Sequence, residues 1–420
     1  MRDTRWNWLY TLGFLGVGFV DTLFAQWIVY LHAPPGSADP RNASAIGTIL
    51  LISFVLQALF NPALGHLSDR LSHTRWAFSA LGPRLPLIMF ASLPMALVFY
   101  ALWQVTAFWP SLLLICLYGL LFVTVVQPFM TLLPTLAPDP ALRVRYSLIG
   151  GVLSLLATGA AMVAGPQLLE SGSFASFGLL GGLSLVLTVF IPSLLMREAS
   201  LPEPSNTGRG FLTETTDVLS SKPLASFFAG NAFVLMAIVS LTILSPFLCE
   251  TVLRQNRTYT SVMNLYAFAG VLAAVTFVAI RGKQLSFLRL MRNLAAIDGL
   301  LLLGFGAVSL WRPIPLPLWH LCFILLGCLI FVGMMAPNLI LAEFSDRDPL
   351  GRRGVIFGLN GLAANLAHAL AAKSTAALLV HGKSAAQPLG VQLGLLFAAV
   401  ATLLAGLALT LALRFQERIK

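Results

Sequence analysis

Few residues of this 420-residue chain could do chemistry, and most of them stand inside apolar runs. Asp21 lies in GVGFVDTLFAQW. A carboxylate there can accept a hydrogen bond from a ligand hydroxyl or take up a proton; bonding to neighbouring helices is the plainer alternative. Gln26, Trp27 and Tyr30 follow it, and could add an amide and flat aromatic surface, although aromatics in a helix more often pack. Gln57 and Asn61 are spaced i, i+4 and share one helix face. Amides can hold a hydroxyl, but they bind sodium weakly because hard cations favour charged oxygen ligands. Their alternative role is bonding between helices, at about 0.6 kcal/mol per contact. Gln127, before Pro128, and Asn231 and Asn264 are further amides of the same kind.

A second group could titrate. Asp298 reads first as a structural ion pair with Arg292, near the start of its helix, and second as a proton relay. His368 and Lys373 stand among alanines in GLNGLAANLAHALAAK. His368 could titrate near neutral pH if hydrated, with a buried, hydrogen-bonded neutral ring as the alternative. Lys373 could take part in proton movement, but snorkelling toward the membrane surface ranks ahead of it. Glu250 ends an apolar run and reads as a solvated terminus. Asp69 and Arg70, in GHLSDR, close another run and read as a gate, with Arg143 and Arg352 as their partners. Replacing Asp69 by Asn is then expected to change a rate more than an equilibrium affinity.

These residues need elements to position them, and composition says which. The chain is 58% hydrophobic and 10% charged, against about 25% charged in soluble proteins. A water-soluble fold cannot hide that much apolar surface, so the solvent is lipid. A charge at the bilayer centre costs about 3 kcal/mol or more, so the intramembrane acids should face an interior cavity. The apolar runs fall at 7–32, 44–67, 85–108, 111–136, 146–169, 175–196, 224–249, 260–280, 291–310, 317–342, 354–380 and 389–413. Each is long enough for a span of about 20 residues. Of the 26 basic residues, 20 fall on one side of this topology and 5 on the other, with Lys373 inside a helix. The positive-inside rule then puts both termini in the cytoplasm of a multi-pass cell-membrane protein. The net charge of +10 belongs to those loops, so no nucleic-acid partner is expected. The four cysteines form no CxxC pair and read as packed core. There is no phosphate-binding loop, dinucleotide fingerprint or HExxH, so no enzyme activity, cofactor or metal is expected.

The longest polar connection, about 197–223, divides the chain into an N-terminal bundle (1–196) and a C-terminal bundle (224–420). Pro128 and Pro337, Asp139 and Asp348, Pro140 and Pro349, and Arg143 and Arg352 are each 209 residues apart. We read this as a duplicated unit, a common architecture of secondary transporters. The fold class is therefore an all-α membrane protein of about 12 spans in two pseudo-symmetric six-helix bundles.

That plan, with GHLSDR after the second run, resembles the major facilitator superfamily. NPALGHLSDR followed by GPRLP is similar, more narrowly, to the glycoside–pentoside–hexuronide cation symporters, the relatives of the melibiose carrier. LLPTLAPDPALRVRYS and RRGVIFGLNGLAANLAHAL resemble that family's loop after helix four and the start of its helix eleven. The resemblance implies a helix-one aspartate at Asp21. It also implies departures: Gln57 and Asn61 stand where the family has cation-site carboxylates, Asn365 where it has a helix-eleven lysine, and Gly151 where it has a basic residue. Ordinary sodium symport is therefore not expected. The expected function is alternating-access transport of a small hydroxyl-bearing solute such as a sugar, by proton symport or facilitation, by a monomer among membrane lipids. A lysolipid or other amphipathic solute is the alternative, as is a transport-inactive sensor or assembly factor on the same fold.

Overall fold

A computed structural model describes residues 6–35, 41–71, 84–136, 140–171, 173–197, 211–281, 285–346 and 353–417. Among these residues no strand forms beyond one isolated bridge between Ser384 and Gln387. Twelve helices are long and apolar enough to cross a membrane. They are α1 (Tyr10–His32), α2 (Arg41–Leu71), α3 (Leu85–Leu102), α4 (Phe108–Thr131), α5 (Pro140–Ser171), α6 (Phe174–Leu185), α7 (Lys222–Phe247), α8 (Tyr259–Arg281), α9 (Phe287–Ser309), α10 (Leu316–Asp346), α11 (Arg353–Leu379) and α12 (Leu389–Glu417). Wider turns with i→i+5 bonds, Val186–Phe190 and Leu248–Val252, extend α6 and α7. A short helix, Phe211–Ser220, precedes α7. Most of the spans are apolar around their whole circumference, as lipid-embedded helices are. Leu97, Leu113 and Ile280 are exposed on them, and Trp109 and Trp311 lie at helix ends, where indoles favour the membrane–water boundary.

The chain divides into two compact units. The first holds Met1–Leu31 and Ile52–Asn206; the second holds His32–Leu51 and Thr207–Lys420. The helix α2 is continuous across Arg41–Leu71, yet its first turns group with the second unit and the remainder with the first.

Within the first unit α1 and α5 run in step. Phe14 meets Gly150, Gly18 meets Ser154, and the Thr22 hydroxyl reaches Thr158 Oγ1 at 3.3 Å. Each contact is one helical turn beyond the last, so the two helices are parallel. Asn7 ties their ends together: its Nδ2 donates to the Leu136 carbonyl at 3.3 Å, and its Oδ1 accepts from the Arg197 amide at 3.2 Å. Within the second unit α7 packs on α11 and α12, α8 on α10, and α9 on α12 and α10. The α8–α10 pair is close at Gly270 and at Gly327, whose missing side chains let the Ile324 and Ala267 carbonyls approach. The Cys328 thiol donates to the Gly270 carbonyl at 3.3 Å, so this cysteine is a packing residue.

Candidate functional site

In the first unit Asp21 stands mid-way along α1 with an exposed side chain. It forms no ion pair among the described residues. Phe24, one turn further on, lies against the ring of Tyr118 on α4, with centroids 5.0 Å apart. The Tyr118 phenol lies within electrostatic reach of Asp21. It is 4% exposed, and its hydroxyl meets no hydrogen-bond partner among the described residues. Enclosing a hydroxyl without a partner costs about 1–3 kcal/mol. Sequence reasoning missed Tyr118; its only signal was a lone phenol in the apolar stretch LYGLLF.

The other expected groups of this unit separate into core and surface. Trp27 is fully enclosed, edge-on to Tyr30 (5.3 Å) and Phe177 (5.9 Å), with Gly165 against its indole nitrogen. Gln26 is also buried. Both are therefore core residues here and offer no surface to a solute, because their side of α1 faces the aromatic packing. Gln57 is buried between α2 and α4. Its Nε2 donates to Ser53 Oγ at 3.3 Å, and that hydroxyl donates to the Ile115 carbonyl at 3.1 Å. Gly119 makes the room, since a Cβ there would lie 2.6 Å from Gln57 Nε2. Ser53 thus bonds α2 to α4, and Gln57 supports it and packs against Gly119. Asn61 is half-buried, and its enclosed Oδ1 has no hydrogen-bond partner among the described residues. Gln127 is half-buried on α4. Gly151 has open space where a side chain would be, so the position of the family's basic residue is unfilled.

The second unit carries amides. Asn231 on α7 donates through Nδ2 to Asn360 Oδ1 on α11 at 2.8 Å, and its own Oδ1 is enclosed without a hydrogen-bond partner. Asn360 was overlooked in the sequence in favour of Asn365, which is half-buried further along α11. Gly358 and Gly361, on the same helix, face open space. Asn264 is buried on α8. His368 approaches the Ala364 carbonyl with Nδ1 at 2.8 Å. A carbonyl only accepts, so Nδ1 carries the hydrogen. Glu250 lies half-buried in the wide turn after α7.

Two expectations are corrected. Asp298 does not pair with Arg292, whose guanidinium bonds Asn293 Oδ1 at 3.0 and 2.7 Å. The six-residue separation puts the two residues about 120° apart around the helix. Asp298 is also not near the end of its helix, because α9 starts at Phe287 and runs to Ser309. It is 1% exposed, and its Oδ2 has no hydrogen-bond partner among the described residues. Lys373 is half-buried on α11. Its Nζ donates to Thr48 Oγ1 at 2.7 Å and to the Ser44 carbonyl at 3.4 Å. The expected gate lies outside the described residues: Arg352 altogether, and Asp69, Arg70 and Arg143 in their side chains. No cluster of His, Cys, Asp or Glu among the described residues could hold a metal.

A family model described as MFS/sugar transport protein matches residues 9–416. No match is found among curated proteins. Solved structures give the fold. The POT family transporter PepTSo is 12% identical, with TM-score 0.72, covering 100% of this chain and 99% of its own. A point mutant of the nucleoside transporter NupG is 13% identical, with TM-score 0.69, covering 98% and 99%. A D-xylose-proton symporter is 11% identical, with TM-score 0.69, covering 96% of each chain.

Proposed function

Since the chain belongs to the MFS/sugar transport protein family and is a secondary membrane transporter, we propose that it carries a small hydroxyl-bearing solute, such as a glycoside or sugar, by alternating access. The family description and the fold shared with a D-xylose-proton symporter support the solute class. The observation that carries the reading is the open Asp21 carboxylate mid-way along α1, with the enclosed, unpartnered Tyr118 hydroxyl within its electrostatic reach. An exposed acid mid-way along an apolar helix is costly unless it meets water or a ligand. A sugar hydroxyl can donate to it.

Coupling is by protons or absent. The second helix offers Gln57 and Asn61, neutral amides, where sodium would need charged oxygens. Asp21 is the residue able to take the proton. The charge count supports both termini in the cytoplasm; the reading adds a cell membrane, a single chain among lipids and no nucleic-acid partner. The domain boundaries proposed are 1–196 and 224–420, joined by 197–223.

The test is thermal unfolding of purified protein with glycosides, lysolipids and sodium, followed by counterflow in proteoliposomes. A ligand that binds only the folded state raises apparent stability by mass action. A glycoside is expected to raise the unfolding temperature and to exchange across the vesicle wall. A response to lysolipids with none to any glycoside overturns the solute class.

A further inference from the structure

The second unit holds a pair of amides whose hydrogen-bonding capacity its own packing does not use up. On α7 Asn231 is 1% exposed. Its Nδ2 donates to Asn360 Oδ1 on α11 at 2.8 Å. That bond decides which way the Asn360 amide faces: the oxygen is turned to α7 and the nitrogen away from it. Asn360 is half-buried, and its Nδ2 is neither enclosed nor bonded to anything among the described residues. Its N–H donors are therefore held in one direction without an acceptor in the protein. Asn231 keeps its own Oδ1 enclosed without a hydrogen-bond partner. Buried acceptors are rarely left so, and packing gives no reason for it.

The rest of α11 says what can meet those donors. Gly358, Gly361 and Asn365 are spaced i, i+3 and i+7 and share one face. A Cβ at either glycine would meet nothing within 4 Å. Asn365 is half-buried, and no atom of its amide is enclosed or hydrogen-bonded among the described residues. Hydrocarbon cannot satisfy an amide, and each unbonded polar group facing lipid is costly. An α11 face with two open glycines and an unbonded amide therefore suits water or a polar solute. Asn360 borders that face, one residue before Gly361. An outward N–H needs an oxygen lone pair. A hydroxyl offers one and keeps its own hydrogen for another acceptor. An ammonium has no lone pair to offer, and a sodium ion needs oxygen ligands where this amide shows nitrogen.

We propose that Asn360 binds one hydroxyl oxygen of the solute, and that Asn231 is the positioning residue that keeps the Asn360 amide turned toward it. The subsite rests on the glycoside reading and deepens it, by assigning to the second unit a donor that recognises a single hydroxyl of an uncharged solute.

The experiment titrates the full-length protein in detergent with methyl glucoside and methyl galactoside. Analogues of each, in which one hydroxyl at a time is replaced by hydrogen, are titrated beside them. One deoxy analogue is expected to bind about tenfold more weakly than its parent sugar, the effect of losing one hydrogen bond. An ammonium in place of that same hydroxyl is expected to recover none of the loss. Asn360→Leu is expected to bind the full glycoside about tenfold more weakly, yet to bind that one deoxy analogue as the unmutated protein does. Asn231→Leu leaves the Asn360 donors free to turn, and is expected to lose about threefold on the same hydroxyl. A packing defect would weaken every analogue alike, so the match of one side chain to one hydroxyl separates recognition from structure. If either single variant fails to fold, Asn231→Leu combined with Asn360→Leu removes both amides together, and the Asn360→Leu pattern is expected of it. Equal weakening of all analogues, or none, with glycoside binding intact in the unmutated protein, overturns the subsite and leaves the solute class standing. If the unmutated protein binds neither glycoside, the solute class falls and the subsite with it.

Discussion

The two units present one acid each at the middle of an apolar helix, and they treat it in opposite ways. On α1 the Asp21 side chain is open, with a phenol near it. On α9 the Asp298 carboxyl is 1% exposed, and one of its oxygens is enclosed without a hydrogen-bond partner. A second contrast runs through the equivalent helix pairs α2–α4 and α8–α10. In the first unit the glycine is on α4 and the polar side chain, Gln57, is on α2. In the second a glycine stands on each helix, Gly270 on α8 and Gly327 on α10, and each meets the backbone of the other helix, with the Cys328 thiol bonded to the Gly270 carbonyl. Gly119 and Cys328 are 209 residues apart, as are Thr22 and Asn231. Thr22 reaches Thr158, and Asn231 reaches Asn360. The helix pairings are kept between the units while the side chains at them differ.

The contrast can be broken most strongly at the glycines. Gly270→Ala drives a methyl into the Ile324 carbonyl, a backbone atom that cannot turn aside. It is expected to cost about 3 kcal/mol, seen as a lower unfolding temperature in detergent. Gly119→Ala meets only the ends of the Gln57 and Ser53 side chains, at 2.6 and 2.7 Å, which can swing away. Its expected cost is below about 1 kcal/mol. Equal losses would mean that the two contacts do not differ in kind.

The acids come next. Asp21→Asn is expected to lower solute-driven proton uptake about tenfold or more, because an amide cannot carry the proton. Asp298→Asn is expected to change uptake less than about twofold, since that carboxyl is sealed from any solute. If Asp298→Asn were the more damaging, the open acid and the closed one would have to trade roles. The smallest effects are at the paired helices. Asn231→Ala removes the amide bond to Asn360, at an expected cost of about 1 kcal/mol. Thr22→Val is expected to cost about half as much. The hydroxyl of Thr22 also bonds the Gly18 carbonyl of its own helix at 2.7 Å, so little of its bonding is between helices.

The site was legible in part. Asp21 could be picked out because a lone acid in an apolar run is conspicuous at any position. Tyr118 and Asn360 could not, because a tyrosine or asparagine in a helix gains a role only from what stands opposite. Gln57 and Asn61 share a face by spacing, but the spacing could not tell that Gly119 waits across from Gln57. Trp27 looked like a surface for a ring, and it is core because Phe177 and Tyr30 close over it.

By itself the sequence settled the solvent and the elements. Twelve apolar stretches of spanning length can only be helices in lipid, since every backbone amide there must be bonded within its own segment. That requirement is local and is met whatever the neighbours do. Tertiary structure decided which polar groups are open and which are sealed. Asp21 and Asp298 are alike as single acids in apolar helices, and only the packing of α9 on α10 and α12 encloses one of them. It also decided that Lys373 bonds a helix more than 300 residues away in the chain. The direction a side chain faces is fixed by the helices around it, and no period read along a uniformly apolar run contains that information.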